Sequence, residues 1–128
     1  MSAINITSIQ PAHTDDRGSI TDLINTNEAI YHIGLITFTP GATRANHYHK
    51  VSTQYDYILE GEIELATKDV DADGIDTVTL KAGDLVSIPP NTIHAYRAIT
   101  PTSMIDMTTT SRDADGYEDD TYRIEPIL

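Results

Sequence analysis

A chain of 128 residues has room for one compact domain and not for two ordinary ones. Its 20 acidic and 8 basic side chains leave a formal net charge of −12 with no Lys/Arg cluster, which argues against a nucleic-acid or anionic-membrane partner. Cysteine is absent, so disulfides, thiolate ligands and cysteine nucleophiles are excluded together, and any metal must rest on His, carboxylate, amide or water.

No apolar run is long enough to span a membrane, and no basic stretch followed by an apolar one opens the chain, so the expected setting is the cytoplasm. In chain order, segments rich in Ile, Val, Thr and Tyr cover residues 4–9, 19–24, 30–38, 43–49, 54–59, 62–67, 77–80, 85–88, 93–98, 103–109 and 121–125. Short runs of this kind, closely spaced and separated by Gly, Pro, Asn and Asp, predict an all-β sandwich or barrel. Pro40-Gly41, Glu60-Gly61, the 71–74 segment and Pro89-Pro90-Asn91 supply the turns. No segment carries a sustained helical period, so any helix will be short. Acid concentrates in residues 69–76 and 113–120, which read as two solvated loops. The last dozen residues alternate apolar and polar, which suits a terminal strand laid against a sheet edge or a partner subunit. No repeat or linker divides the chain, so residues 1–128 are expected to form a single domain.

His47 and His49 lie two apart in a segment that otherwise reads as β. Strand side chains alternate, so both imidazoles point the same way, and a pair fixed on one rigid strand is preorganised to hold a divalent metal. The same alternation places Asp56 on the face of Gln54, and Tyr96 on the face of His94. Arg44, three residues before His47, falls on the opposite face of an ideal strand and needs a bulge to reach the same pocket. Tyr48 should face away. His13, beside Asp15 and Asp16, reads as an exposed loop residue, Arg17 as a loop anchor through a salt bridge, and His32 as a core or pocket-lining histidine outside the metal set.

Gly41, His47, His49 and Gly61 fall in register with the first motif of the cupin superfamily, G-x5-H-x-H-x3,4-E-x6-G, with Gln54 at the glutamate position. Gly83, Pro89 and His94 match the second, G-x5-P-x-G-x2-H-x3-N, while Asn91 stands for the glycine and Ala98 for the asparagine. The chain therefore resembles a cupin over residues 41–98. Asn is the side chain that best replaces Gly in a left-handed turn. The resemblance implies a double-stranded β-helix, or jelly roll, with one divalent ion (Zn, Ni, Mn or Fe) bound inside by His47, His49, Gln54 and His94. An amide brings no negative charge where glutamate brings one, which favours Lewis-acid chemistry on a carbonyl or enolate over O2 activation.

The 13–20 and 44–54 segments are similar to the D-x-R-G and R-G-x-H-x-H/Q segments of keto-sugar-nucleotide epimerases and ketoisomerases of the cupin fold. The His-x-His-x4-Gln set with a distant His also resembles metal cupins that linearise unsaturated uronates. Both likenesses imply proton transfer next to a carbonyl of a small, sugar-derived molecule. In that reading Asp56 is the base and Tyr96 the acid, and Arg44 pairs with a substrate carboxylate or phosphate. A metal-dependent dioxygenase and a non-catalytic binding barrel are the competing expectations. Resemblance further implies a homodimer, with the strand over 4–9 as the segment for exchange.

Overall fold

The computed structural model describes residues 4–113 and 115–128. Two five-stranded antiparallel sheets face each other as a jelly roll. The first has the order β1 (Asn5–Ser8), β9 (Asp84–Ile88), β6 (Gln54–Glu60), β11 (Thr102–Thr108) and β4 (His32–Phe38). The second has the order β12 (Tyr122–Arg123), β5 (Thr43–Tyr48), β10 (Thr92–Ala98), β7 (Glu62–Asp69) and β8 (Asp76–Lys81). A separate hairpin joins β2 (His13–Asp15) to β3 (Gly18–Ile20), and α1 (Gly116–Asp119) is a single turn of helix.

Alternation drives this architecture. β6 buries Gln54, Asp56 and Ile58, β9 buries Asp84, Val86 and Ile88, and their intervening side chains are more exposed. Phe38, Ile58, Ile63, Leu65, Leu80, Val86, Ile88, Tyr96, Ala98 and Met104 form one continuous core between the sheets. A second part of the interior is polar, with Asp56, Thr67, His94 and Asp106 essentially without solvent contact.

The chain departs from the pattern expected of it at both ends. Residues 13–20 form a hairpin in place of an exposed loop followed by a strand over 19–24, because Gly18 at φ 132° permits the turn after Asp16-Arg17. His13 is exposed as expected, yet lies in β2. Arg17 donates to Asp15 from both Nε and Nη2, the loop-anchoring role anticipated for it. The terminal strand shrinks to two residues paired with Tyr48 and His47 of β5. β1 pairs with β9 of its own chain over four residues.

Candidate metal centre

His47 and His49 come from the end of β5, and His94 from the middle of β10, where the register sets His94 opposite His47. Between His94 and Ala95 the register slips by one, so that Ala95 faces Ala45 and Tyr96 faces Arg44. The slip is a bulge in β5, with Ala45 at φ 75° and Asn46 at φ 57°. It turns Arg44 onto the same side as His47, and both line one cavity of about 440 Å³ together with Gln54 and Tyr96.

The three imidazoles cluster, with ring centroids 4.7 Å apart for His47 and His94, 4.8 Å for His47 and His49, and 5.5 Å for His49 and His94. His49 Nδ1 donates to the carbonyl oxygen of Asp120 at 2.7 Å, and His94 Nδ1 donates to that of Thr92 at 3.0 Å. A carbonyl only accepts, so both rings carry the proton on Nδ1 and present Nε2 as a lone pair. His94 Nε2 is buried without a hydrogen-bond partner, an arrangement that is costly unless something accepts that lone pair. Burial, reinforced by the neighbouring imidazoles, holds His47 down to about 2 and His94 down to about 4. Three imidazoles whose possible ligand atoms all lie within 4.8 Å of one another fit a divalent cation.

Gln54 Nε2 donates to Asp56 Oδ2 at 2.8 Å. The amide nitrogen is thereby engaged, and the amide oxygen is left as the atom suited to a metal. Asp56 Oδ2 also accepts from the Tyr96 hydroxyl at 2.6 Å. Asp56 faces Asp106 across β6 and β11, and both side chains are fully buried. Burial first, and then the adjoining Asp106 carboxyl, push the Asp56 pKa well above the usual carboxylate range. Asp56 does not orient a histidine, because the Nδ1 protons of His49 and His94 go to main-chain carbonyls. It orients Gln54 and Tyr96. Tyr96 is itself held well above its ordinary pKa by burial and by Asp56.

The chemistry of the cavity wall contrasts with the rest of the molecule. Arg44, Arg112 and Arg123 line it and no carboxylate does, among the described residues. Arg112 is held by Asp106 at 3.1 Å and lies over the ring of Tyr117 at 4.3 Å. Tyr117, from α1, stands edge-on to His47 and His49 at 6.2 and 6.1 Å. Arg44 Nη2 donates to the carbonyl oxygen of Thr37 and has no ion-pair partner among the described residues. His32 approaches Asp106 at 3.7 Å and stays out of the histidine cluster. Tyr48 stacks on Tyr122 and faces away from the histidines.

Residues 34–108 match the family described as the cupin domain. The chain belongs to the cupin family. This cupin is 38% identical to the quercetin 2,3-dioxygenase of Bacillus subtilis (strain 168) over 52 residues, which is 41% of the chain and 14% of that enzyme. It thus spans a small part of the length of that curated relative. Among solved structures it superposes on a 3,4-ketoisomerase from Helicobacter canadensis with a TM-score of 0.80 at 19% identity, over 97% of this cupin and 92% of that chain. A variant of the 3,4-ketoisomerase from Thermoanaerobacterium thermosaccharolyticum in complex with TDP-4-keto-6-deoxyglucose superposes with a TM-score of 0.78 at 18% identity, over 97% and 89%. At these identities the likeness speaks for the fold.

Four participants had no signal in the motifs: Asp106, Arg112, Tyr117 and Asp120. Asp120 sits in the acidic 113–120 segment expected to be a solvated loop, yet it is buried. Its carboxylate accepts the main-chain N–H groups of Lys50, Val51 and Ser52 at 2.9, 3.1 and 2.8 Å. Nothing near residue 120 in sequence marks it as the clamp of a loop about seventy residues away.

Proposed function

We propose that this cupin is a metal-dependent isomerase or epimerase that moves a proton next to the carbonyl of a small, anionic, sugar-derived substrate, with lyase-type elimination as a variant of the same chemistry. The observation that carries the reading is the juxtaposition, at one arginine-lined cavity, of three clustered imidazoles and a buried Tyr96–Asp56 hydrogen-bonded pair. His47, His49 and His94, completed by the Gln54 amide oxygen, hold one divalent ion. The chemistry such an ion would supply is Lewis-acid polarisation of a substrate oxygen, which would make the adjacent C–H more acidic.

The remaining roles belong to the protein. Arg44, with Arg112 and Arg123 beside it, binds the negative part of the substrate and orients the sugar over His47. Tyr96, which burial and Asp56 keep protonated, gives a proton to the substrate oxygen. Asp56 acts through Tyr96, since its own carboxyl does not line the cavity. A ketoisomerase of this fold in complex with a nucleotide-linked ketosugar supports the substrate class. The chain acts as one domain, in the cytoplasm, as a homodimer.

The test is solvent exchange. Metal-loaded protein is incubated with TDP-4-keto-6-deoxyglucose and with simpler ketosugar phosphates in D2O. Proton NMR should show deuterium entering at carbons beside the carbonyl. No exchange with any ketosugar, with O2 consumed on adding a flavonol, would replace this reading by a dioxygenase, for which the Bacillus relative is the supporting observation. Binding without either reaction would make the barrel a small-molecule binder.

A further inference from the structure

The metal cavity is short of negative charge. His47, His49 and His94 offer imidazoles and Gln54 an amide, so no member of the set brings an anion to a divalent ion. No carboxylate lines the cavity among the described residues. The acids nearest to it are engaged elsewhere. Asp56 accepts from Gln54 Nε2 and from the Tyr96 hydroxyl, Asp106 holds Arg112 at 3.1 Å, and Asp120 receives the main-chain N–H groups of residues 50–52. Glu118, which is exposed, takes both ends of the Arg123 guanidinium at 3.0 and 3.1 Å.

Arg44 is the exception among the arginines. The bulge at Ala45-Asn46 brings it to the side of His47, where its Nη2 donates to the Thr37 carbonyl oxygen at 3.1 Å and its guanidinium carbon lies 5.3 Å from the centre of the Phe38 ring. These contacts carry no negative charge, and they leave most of its N–H donors free for a ligand. An ion among the imidazoles would therefore share one cavity of about 440 Å³ with an uncompensated guanidinium. His47 follows Arg44 by three strand residues, roughly 10 Å of chain. At that distance, with an effective dielectric constant of about 40 to 80, the repulsion between a dication and a guanidinium is worth roughly five- to fifteenfold in affinity.

We propose that a divalent ion and a small anion bind this cavity as a linked pair, and that Arg44 couples them, an inference that rests on the metal reading above. With its guanidinium free, Arg44 disfavours the ion. With a carboxylate or phosphate on the guanidinium, its charge is cancelled, and the cavity gains the negative charge that the imidazoles and the amide do not supply. Each ligand then raises the affinity of the other by the same factor, as linkage requires. The coupling also sets specificity. It selects an anionic molecule over a neutral one of the same size, and does so most strongly in the metal-loaded protein. Arg112 and Arg123 contribute less, because each already has an acid beside it.

Isothermal titration calorimetry of the full chain with Ni2+ tests this, at low and fixed ionic strength, in the presence of pyruvate or of hydroxyacetone. The two compounds are alike in size and share a ketone, and only pyruvate is charged. After correction for the Ni2+ that pyruvate binds in solution, saturating pyruvate should raise the Ni2+ affinity about tenfold, and Ni2+ should raise the pyruvate affinity by the same factor. Hydroxyacetone should change the Ni2+ affinity by less than about threefold. Arg44→Gln, at an exposed position, should keep the far-ultraviolet circular dichroism of the wild type. Without pyruvate it should bind Ni2+ about three- to tenfold more tightly than the wild type, and pyruvate should then add less than about threefold. Arg97→Gln, on the outer face, should match the wild type throughout. A wild type that binds Ni2+ with the same affinity with and without pyruvate overturns the linkage and leaves the metal centre in place. Linkage that survives intact in Arg44→Gln, or a loss of Ni2+ affinity in that variant, overturns the role of Arg44. No Ni2+ binding under any of these conditions overturns the metal reading, and the linkage with it.

Discussion

Asp120 accepts the Nδ1–H of His49 on its main-chain carbonyl and three main-chain N–H groups of residues 50–52 on its carboxylate, so one residue near the C-terminus holds both the tautomer of a candidate ligand and the loop that follows it. Asp120→Ala leaves buried donors without an acceptor and should cost about 2 to 4 kcal/mol in urea unfolding. The hydrogen bond to His49 is made by the main-chain carbonyl, which alanine keeps, so metal stoichiometry by elemental analysis should persist in this variant. His49→Ala should abolish stoichiometric metal binding by elemental analysis, and retained stoichiometry would refute its assignment as a ligand. Tyr96→Phe should keep the metal and lower turnover by about 100-fold or more. The cluster of His47, His49 and His94 was legible because their spacing is a motif. Asp106, Arg112 and Asp120 were not, because their roles arise from contacts between segments distant in sequence.

At the level of strands and turns, alternation alone placed Gln54, Asp56, His94 and Tyr96 facing inward, and the structure agrees at each position. The bulge at Ala45-Asn46 had no such signal beyond an Asn, a residue tolerant of positive φ, and without it Arg44 would point away from the cavity. Asn91, in place of the motif glycine, adopts φ 64° as that substitution requires. The motif glycine at 61 has a stricter reason. Its φ is 92°, and a Cβ there would run into the carbonyl of Pro101 and into Thr102. Gly61→Ala should therefore destabilise by about 3 kcal/mol or more, a change read from the urea midpoint. Gly83→Ala, at φ 95° in open space, should cost only about 1 kcal/mol.

Across the whole molecule, charge and burial set two further expectations. Of the three arginines on the cavity, Arg112 is paired with Asp106 and Arg123 with Glu118, which leaves Arg44 as the one without an ion-pair partner among the described residues and the one proposed to receive an anion. Arg44→Ala should weaken binding of TDP by about tenfold in calorimetry, whereas Arg97→Ala, on the outer face, should leave it unchanged. In the metal-free protein, His94 accepts a proton only near pH 4 when folded, against an ordinary value of 6.5 when unfolded. The unfolded chain thus binds more protons between those values, and this contribution to stability, complete above pH 6.5, is lost as the pH falls toward 4. The raised pKa of Asp56 works in the opposite sense, contributing stability at low pH that fades as the pH rises. His94→Gln removes the first effect and not the second. Its urea midpoint should therefore fall less, or rise more, than that of the wild type on acidification from pH 7 to pH 4.5. No helix among the described residues is long and apolar enough to cross a membrane.

The amino-acid sequence by itself determined the all-β class, the two glycine-framed motifs and which strand faces look inward, because side-chain alternation and turn chemistry are local properties of a chain. It also fixed the chemistry open to the site, since a chain without cysteine can hold a metal only through its histidines, amides and carboxylates. Only the tertiary structure decided that Arg44 joins the cavity, that Asp56 is buried against Asp106, and that an acidic stretch supplies the clamp on His49. Each of these depends on the register between strands far apart in sequence, and register follows from packing both sheets at once.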